Sequence, residues 1–325
     1  FGSGRLGSLT HGDGDAAALR VLADALDAGI TFFDTADIYG QGASEKLLGK
    51  AIRSRREQVV IATKAGYCLS PMGNLAKRFK PLLRRILRVR PGLTRSVQRV
   101  RAAQTQQNFS REYLFRAVDA SLRRLRVDAI DLFQLHSPPA EVLERGEVFE
   151  TLAALQQLGK IRHSGVACLI AEHVPLAMRC KGLATVQVEM NMLTPTVFGP
   201  VLDSARSAGV GVVARQIFAS GLLLRSSASL TKEDCSHRAE GFPWVKERLQ
   251  RLEALAADLH ATVPELAIQF LRGTAGLSNI LVGTTNVTHL RKNLEVFTRP
   301  PLGNEKLSRI AEIIGLSRGM GTGSS

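Results

Sequence analysis

Apolar, β-rich runs alternate along this chain with stretches whose apolar residues recur at helical spacing. Strands are predicted at about 2–8, 31–36, 59–65, 129–135, 162–168, 185–190, 210–217 and 279–284. Helices are predicted near 15–28, 44–53, 111–126, 147–158, 172–180, 200–208, 264–273 and 288–297. Runs such as VVIAT and IDLFQL lack polar alternation, as strands buried on both faces of a parallel sheet do. Strand and helix signals in strict alternation predict repeated βα units, and eight strands fit a closed α/β barrel. Gly29 and Gly159 stand where helices end, and Pro264 suits a first helical turn. An additional helix near 304–315 is expected to pack outside the barrel.

Two stretches break this rhythm. Residues 67–110 form a long insertion after the third strand, and residues 225–245 a shorter polar one after the seventh. Loops that follow barrel strands form the active-site face, so both are expected to wall a substrate.

Length and composition fit one barrel domain over 1–325: the chain has 325 residues, 45% of them hydrophobic. Its four cysteines, Cys68, Cys168, Cys180 and Cys235, form no CxxC pair, which argues against a disulfide framework or a structural zinc and suits a reducing cytoplasm. No apolar run approaches the roughly 18 residues of a membrane span, and no signal peptide is evident. The chain begins at Phe1, which leaves room for a short missing leader.

The formal charge of +14 at first suggests a nucleic-acid partner. Ten of the basic residues, however, lie between Lys77 and Arg101 with no acidic residue among them, so the basicity belongs to one segment. There Leu75, Phe79, Leu82, Leu83, Ile86 and Leu87 recur at helical spacing among the arginines, interrupted by Pro81. The first reading is a lid helix resting on the barrel. The second is a contact for an anionic substrate, such as a nucleotide sugar or a phosphorylated carrier. Only Phe79 interleaves the charges with an aromatic ring, which argues against stacking of single-stranded nucleic acid.

Candidate chemistry lies at the strand ends: Asp34 and Tyr39 in FFDTADIYG, Lys64 in VVIATKAG and His136 in IDLFQLHSPP. Taken alone, each has an ordinary structural reading: a strand-end cap, a packed ring, a surface amine, a core histidine. Together, on successive strand ends, they supply an acid, a phenol, an amine and an imidazole. Carbonyl reduction by a nicotinamide uses such a set, because hydride arriving at carbon leaves charge on oxygen that a proton donor must quench. A free tyrosine ionises near pH ~10, so Tyr39 needs an adjacent cation, and Lys64 held by Asp34 could supply one. His136 could then hydrogen-bond the substrate oxygen.

In motif order and spacing the chain resembles the aldo-keto reductase family. The resemblance rests on FDTADIYG with SEKLLGKAI, TKAG, ASLRRLRVDAIDLFQLH, GKIRHSGVA, VQVEMNML and VGTTNVTHLRKNLE. It implies a (β/α)8 TIM barrel that binds a nicotinamide dinucleotide without a Rossmann domain, with Asp34, Tyr39, Lys64 and His136 as the catalytic tetrad. The GSGRLG run at 2–7 matches a dinucleotide fingerprint but opens no helix, so it is expected to bring barrel backbone close to the cofactor instead.

The resemblance also implies cofactor contacts. Gln187, with Asn191 beside it, belongs near the nicotinamide, and Arg215 stands where many relatives carry a stacking ring. Ser220, Gly221 and Leu223 belong to a loop wrapping the pyrophosphate, and Gly283, Thr284 and Asn293 to the adenosine site. Thr284, Thr285, His289 and Lys292 could hold a 2′-phosphate, which favours NADP(H) while NAD(H) remains possible. GVAC at 165–168 departs from the family's GVSN or GVSC: Ala167 offers no hydrogen bond and Cys168 a weak one, which loosens the hold on the carboxamide.

The expected function is NADP(H)-dependent reduction of an aldehyde or ketone, with no metal, by a cytoplasmic monomer. Alternatives are an NAD(P)-dependent sugar dehydrogenase or nucleotide-sugar ketoreductase and, in another class, a cofactor-binding regulatory subunit.

Overall fold

A computed structural model describes residues 1–7, 14–69, 105–236, 238 and 241–316. The basic segment Lys77–Arg101, the end of the predicted first strand at residue 8 and the tail 317–325 lie outside the described residues. The chain forms two compact units.

The first unit comprises Phe1–Cys168, Arg179–Ala184 and Gly283–Leu290. Its parallel strands are β1 (Phe32–Asp34), β2 (Val60–Ala65), β5 (Ile130–His136) and β6 (Ile161–Ala167), side by side in that order. Phe33, Ile61, Ala62, Phe133, Leu135 and Val166 are fully buried, as uninterrupted apolar runs require. The short strands β3 (Tyr67–Leu69) and β4 (Thr105–Gln107) pair antiparallel at the two ends of the first insertion.

Helix Arg111–Leu125 shows how sequence sets an element. Ser110 caps it by accepting the Tyr113 N–H at 3.3 Å. Leu114, Ala117, Val118, Ser121 and Leu125 recur every three or four residues and form its buried face.

The second unit comprises Leu169–Met178, Thr185–Val282 and Arg291–Ser325. Its parallel strands are β7 (Thr185–Glu189), β8 (Gly211–Arg215) and β9 (Leu277–Ile280). Pro264 falls in the first turn of helix Val263–Arg272, where Thr262 and Glu265 complete a capping box. Helix Asn304–Ile314 closes the described chain.

Several expectations need correction. The strand predicted at 2–8 is reduced to a single parallel bridge from Gly2 to Asp34, because the chain turns at once, with the Leu6 N–H returning to the Ser3 carbonyl at 2.9 Å. The strand predicted at 279–284 stops at Ile280. Beyond it a Cβ on Gly283 would stand 2.4 Å from the Gly2 carbonyl oxygen, and Asn286 donates its N–H to the Thr284 hydroxyl in a turn. The helix predicted at 172–180 is a 3-10 turn at Ala171–His173 followed by the short helix Val174–Ala177. The polar stretch 225–245 is less of a loop than expected: 3-10 turns at Ser227–Ser229 and Glu233–Cys235 precede helix Gly241–Asp258.

Candidate active site

Asp34, Tyr39, Lys64 and His136 all lie in the first unit, three of them on adjacent parallel strands. Lys64 follows β2 into the interior and is only 1% exposed. A lysine so buried must be paired to remain an ammonium. Its Nζ donates to Asp34 Oδ1 at 2.5 Å, to Asp34 Oδ2 at 2.7 Å and to the Thr35 carbonyl at 2.8 Å, using all three of its protons. Gln134 on β5, opposite Lys64 in register, donates to Asp34 Oδ2 at 3.3 Å.

Tyr39 opens a 3-10 turn just beyond β1. Its ring centroid lies 5.4 Å from the Lys64 ammonium, and the His136 ring meets it edge-on at 5.7 Å and 89°. The predicted glycine run serves this ring: a Cβ on Gly4 would touch Tyr39 at 3.5 Å. Asp34 is pinned from the same side, its N–H donating to the Phe1 carbonyl and its carbonyl accepting from the Ser3 N–H, both at 2.8 Å.

Three neighbours escaped the sequence reading. Tyr67 on β3 packs edge-on against His136 at 4.9 Å, nearer than Tyr39 does. Asp37 lies between Asp34 and Tyr39, with its backbone N–H on the Lys64 carbonyl at 3.0 Å. Burial, and after it the nearby Glu45 charge, push the Asp37 carboxyl up to about 7. The third is Gln134. It stands two residues before His136 on one strand, so the two share a face, a signal that the alternation rule carries.

Gly66 makes the turn from β2 into this region possible. Its φ of 144° suits glycine alone, and a Cβ there would stand 2.5 Å from the Phe109 ring and 3.1 Å from the His136 carbonyl oxygen.

The residues expected to hold a cofactor fall in both units. In the second, Gln187 is 1% exposed within β7. Asn191 is buried and organises its own loop, donating to Glu189 Oε1 at 3.0 Å and the Gln216 carbonyl at 3.2 Å while accepting the Leu193 N–H at 2.9 Å. Arg215 ends β8 half-buried, with Nη2 on the Leu169 carbonyl at 3.2 Å. Beyond it Gln216, Ala219, Ser220 and Gly221 all have positive φ, a density of strained backbone that marks a shaped loop. Gly221 and Leu223 both direct their N–H groups to the Phe218 carbonyl, at 2.9 and 3.3 Å, and Leu223 is buried.

In the first unit, Gly283 packs its bare backbone against Gly2, while Thr284 and Thr285 are half-buried. Asn286 caps helix Val287–Thr298 through the His289 N–H at 3.1 Å. His289 is exposed on that helix; farther along it, in the second unit, Lys292 is exposed and Asn293 half-buried. Ala167, whose lack of a polar side chain was singled out above, pairs directly with His136 in the sheet.

Comparison with known proteins gives the family. The model of the aldo/keto reductase family matches residues 1–315. The chain belongs to the aldo/keto reductase family. Its curated relatives include a D-threo-aldose 1-dehydrogenase from a Pseudomonas species, 29% identical over 304 residues, covering 91% of this chain and 87% of the relative. Another is an NADH-specific methylglyoxal reductase from Escherichia coli, 27% identical over 301 residues, covering 89% of this chain and 85% of the relative. Among solved structures, an aldo/keto reductase from Klebsiella pneumoniae in complex with NADP and acetate matches with a TM-score of 0.67 at 21% identity, covering 99% and 93% of the two chains. The fold is thus the α/β, TIM-barrel type of the aldo-keto reductases, and the chain is an oxidoreductase of that family. Among the described residues no helix is long and apolar enough to cross a membrane, and no cluster of His, Cys, Asp and Glu could hold a metal.

Proposed function

We propose that this aldo-keto reductase reduces an aldehyde or ketone to the alcohol with NADPH, using Tyr39 as the proton donor. The observation that carries the reading is the buried Lys64 ammonium, doubly bonded to Asp34 and 5.4 Å from the Tyr39 ring. When bound, the reduced nicotinamide supplies a hydride. Tyr39 gives its phenolic proton to the substrate oxygen, and the phenolate left behind faces the Lys64 cation. Asp34, with Gln134 and the Thr35 carbonyl, keeps that cation in place. His136, braced between the Tyr39 and Tyr67 rings, hydrogen-bonds the same oxygen. In the other direction the same groups oxidise a secondary alcohol or a sugar hemiacetal.

The donor set suits an anionic dinucleotide. Thr284 and Thr285 precede a capped helix that carries His289 and then Lys292, and first-turn N–H groups favour phosphate, which supports the reading of NADPH over NADH. Gln187, Asn191, Arg215 and Asn293, with the 216–223 loop, are the further residues assigned to the cofactor. The Klebsiella structure with NADP supports the same choice, and the NADH-specific relative keeps NADH in the comparison. We further assign the chain to one cytoplasmic, monomeric barrel domain, with 67–110 as an active-site-face insertion and helix Asn304–Ile314 outside the barrel.

The aldose dehydrogenase relative favours a second reading, oxidation of a sugar. One assay decides between the two. Loss of NADPH absorbance is followed with methylglyoxal, small ketones and keto-sugars, and gain of absorbance with NADP⁺ and aldoses. Reduction at the higher kcat/KM is the expected result. Preferred aldose oxidation would select the second reading, and no turnover in either direction would leave the regulatory-subunit reading standing.

A further inference from the structure

One ring away from the reaction centre, the first unit contains a cavity of about 260 Å³ between the turn after β1, strand β3 and helix Arg111–Leu125. Its wall has the mixed character of a polar ligand site. Asp37 and Gln41 come from the turn, Tyr67 from β3, and Tyr113, Arg116 and Ala120 from the helix.

Two buried acceptor atoms on this wall, Asp37 Oδ1 and Gln41 Oε1, have no hydrogen-bond partner among the described residues. Buried acceptors must be satisfied by solvent or by a ligand. Asp37 is fixed from behind: the Tyr113 hydroxyl lies 3.2 Å from Asp37 Oδ2 and 3.1 Å from the Tyr67 carbonyl, so Oδ1 is the atom left for the cavity. Gln41 is held in the left-handed region at φ 61°, a conformation that costs a non-glycine residue free energy and that clusters at functional sites. Arg116 stands exposed on the helix, and the charge of nearby Arg124 is taken up by the buried Glu45 at 2.5 Å.

We propose that this cavity is a second small-molecule site that takes a polyhydroxylated ligand, a single sugar ring or an open-chain polyol. A hydroxyl carries both a donor and an acceptor, as the water it displaces does, so it satisfies the carboxylate and the amide while accepting from the guanidinium. Ile38, Ala117 and Ala120 add apolar atoms to the wall for the C–H side of such a molecule. An ammonium ligand would meet the Arg116 guanidinium, and a purely apolar one would leave Asp37 and Gln41 unsatisfied. The volume lies just below the roughly 300 Å³ at which ligand pockets begin, which restricts the ligand to small members of the class. Tyr67 is the wall this site shares with His136, so occupancy bears on the histidine that faces the substrate.

The test is ligand-observed saturation-transfer NMR with xylitol, which has no carbonyl to reduce, added to the NADPH-saturated full chain. Three variants separate the outcomes. Gln41→Gly removes the amide and relieves the positive φ, Ala120→Phe fills the cavity, and Tyr39→Phe alters the reaction centre alone. The expected result is transfer to xylitol in wild type and in Tyr39→Phe, and its loss in Gln41→Gly and Ala120→Phe. Absence of transfer in wild type overturns the proposal, as does wild-type transfer in both cavity variants. Transfer lost only in Tyr39→Phe would place the polyol in the reaction centre and also overturn it. No turnover is needed, so failure here is distinguishable from failure of the reductase reading.

Discussion

Three acceptors take the three protons of the buried Lys64 ammonium, and that arrangement makes a prediction at the residue scale. Lys64→Met leaves the Asp34 carboxylate buried beside Gln134 without its cation. Breaking one side of such a pair costs about 3–5 kcal/mol, so the denaturant midpoint should fall sharply along with turnover. A fall in turnover with unchanged stability would mean that the pair is not the structural unit described.

Asp37 predicts a pH effect of definite sign. Its carboxyl releases a proton near 3.8 when unfolded but near 7 when folded, because burial and then the Glu45 charge disfavour ionisation, against opposing help from Arg124 and the Tyr113 hydroxyl. Between about pH 4 and pH 7 the folded chain therefore holds a proton that the unfolded chain has lost, and stability declines as pH rises through that window. Asp37→Asn should flatten the decline, read as unfolding midpoints across the window. Parallel curves for the two proteins would contradict it. Cys68, a further titratable group facing Asp37, is raised from its ordinary value, first by burial, and so lies outside this window. The four grouped residues were legible because Asp34, Lys64 and His136 lie at the ends of apolar runs and Tyr39 follows one closely. Tyr67 and Asp37 were not, since their importance comes from a ring contact and a burial that no linear pattern encodes.

At the scale of elements, the local rules held where side chains and backbone agree and failed where tertiary packing intervenes. Pro264 announced the helix at Val263, and Thr262→Ala, which breaks its capping box, should lower stability by about 1 kcal/mol with no effect on kcat. The predicted first strand was cut short where the chain turns back on Ser3, and the last stops ahead of Gly283, whose backbone meets Gly2, a contact between residues nearly the whole chain apart. Helix Gly241–Asp258 was hidden because its first turn carries Gly241 and Pro243 in a polar setting that reads as loop. Gly66→Ala is the corresponding functional test. Its Cβ has no room beside Phe109, so Tyr67 must shift against His136, and kcat should drop more than NADPH affinity. Equal loss of both would indicate general misfolding.

At the scale of the whole molecule, motif order carried the family assignment, while the proposed 2′-phosphate contacts are dispersed beyond the last strand and along the helix after it. Lys292 is the exposed cation of that set. Lys292→Ala should weaken NADPH binding by roughly tenfold, the loss of one charge-assisted phosphate contact, and leave NADH binding nearly unchanged. Fluorescence titration of the two cofactors reads both numbers. An equal effect on both would remove Lys292 from the 2′-phosphate site and weaken the NADPH assignment.

The most direct test of the account compares wild type with Tyr39→Phe, measuring NADPH affinity by titration and carbonyl reduction under saturating cofactor. Phenylalanine keeps the ring that packs on His136 and removes only the phenolic hydroxyl, the proposed proton donor. The account predicts NADPH affinity within about twofold of wild type and a fall in kcat of at least about a hundredfold, the scale of a lost general acid. Near-wild-type turnover in Tyr39→Phe would contradict it.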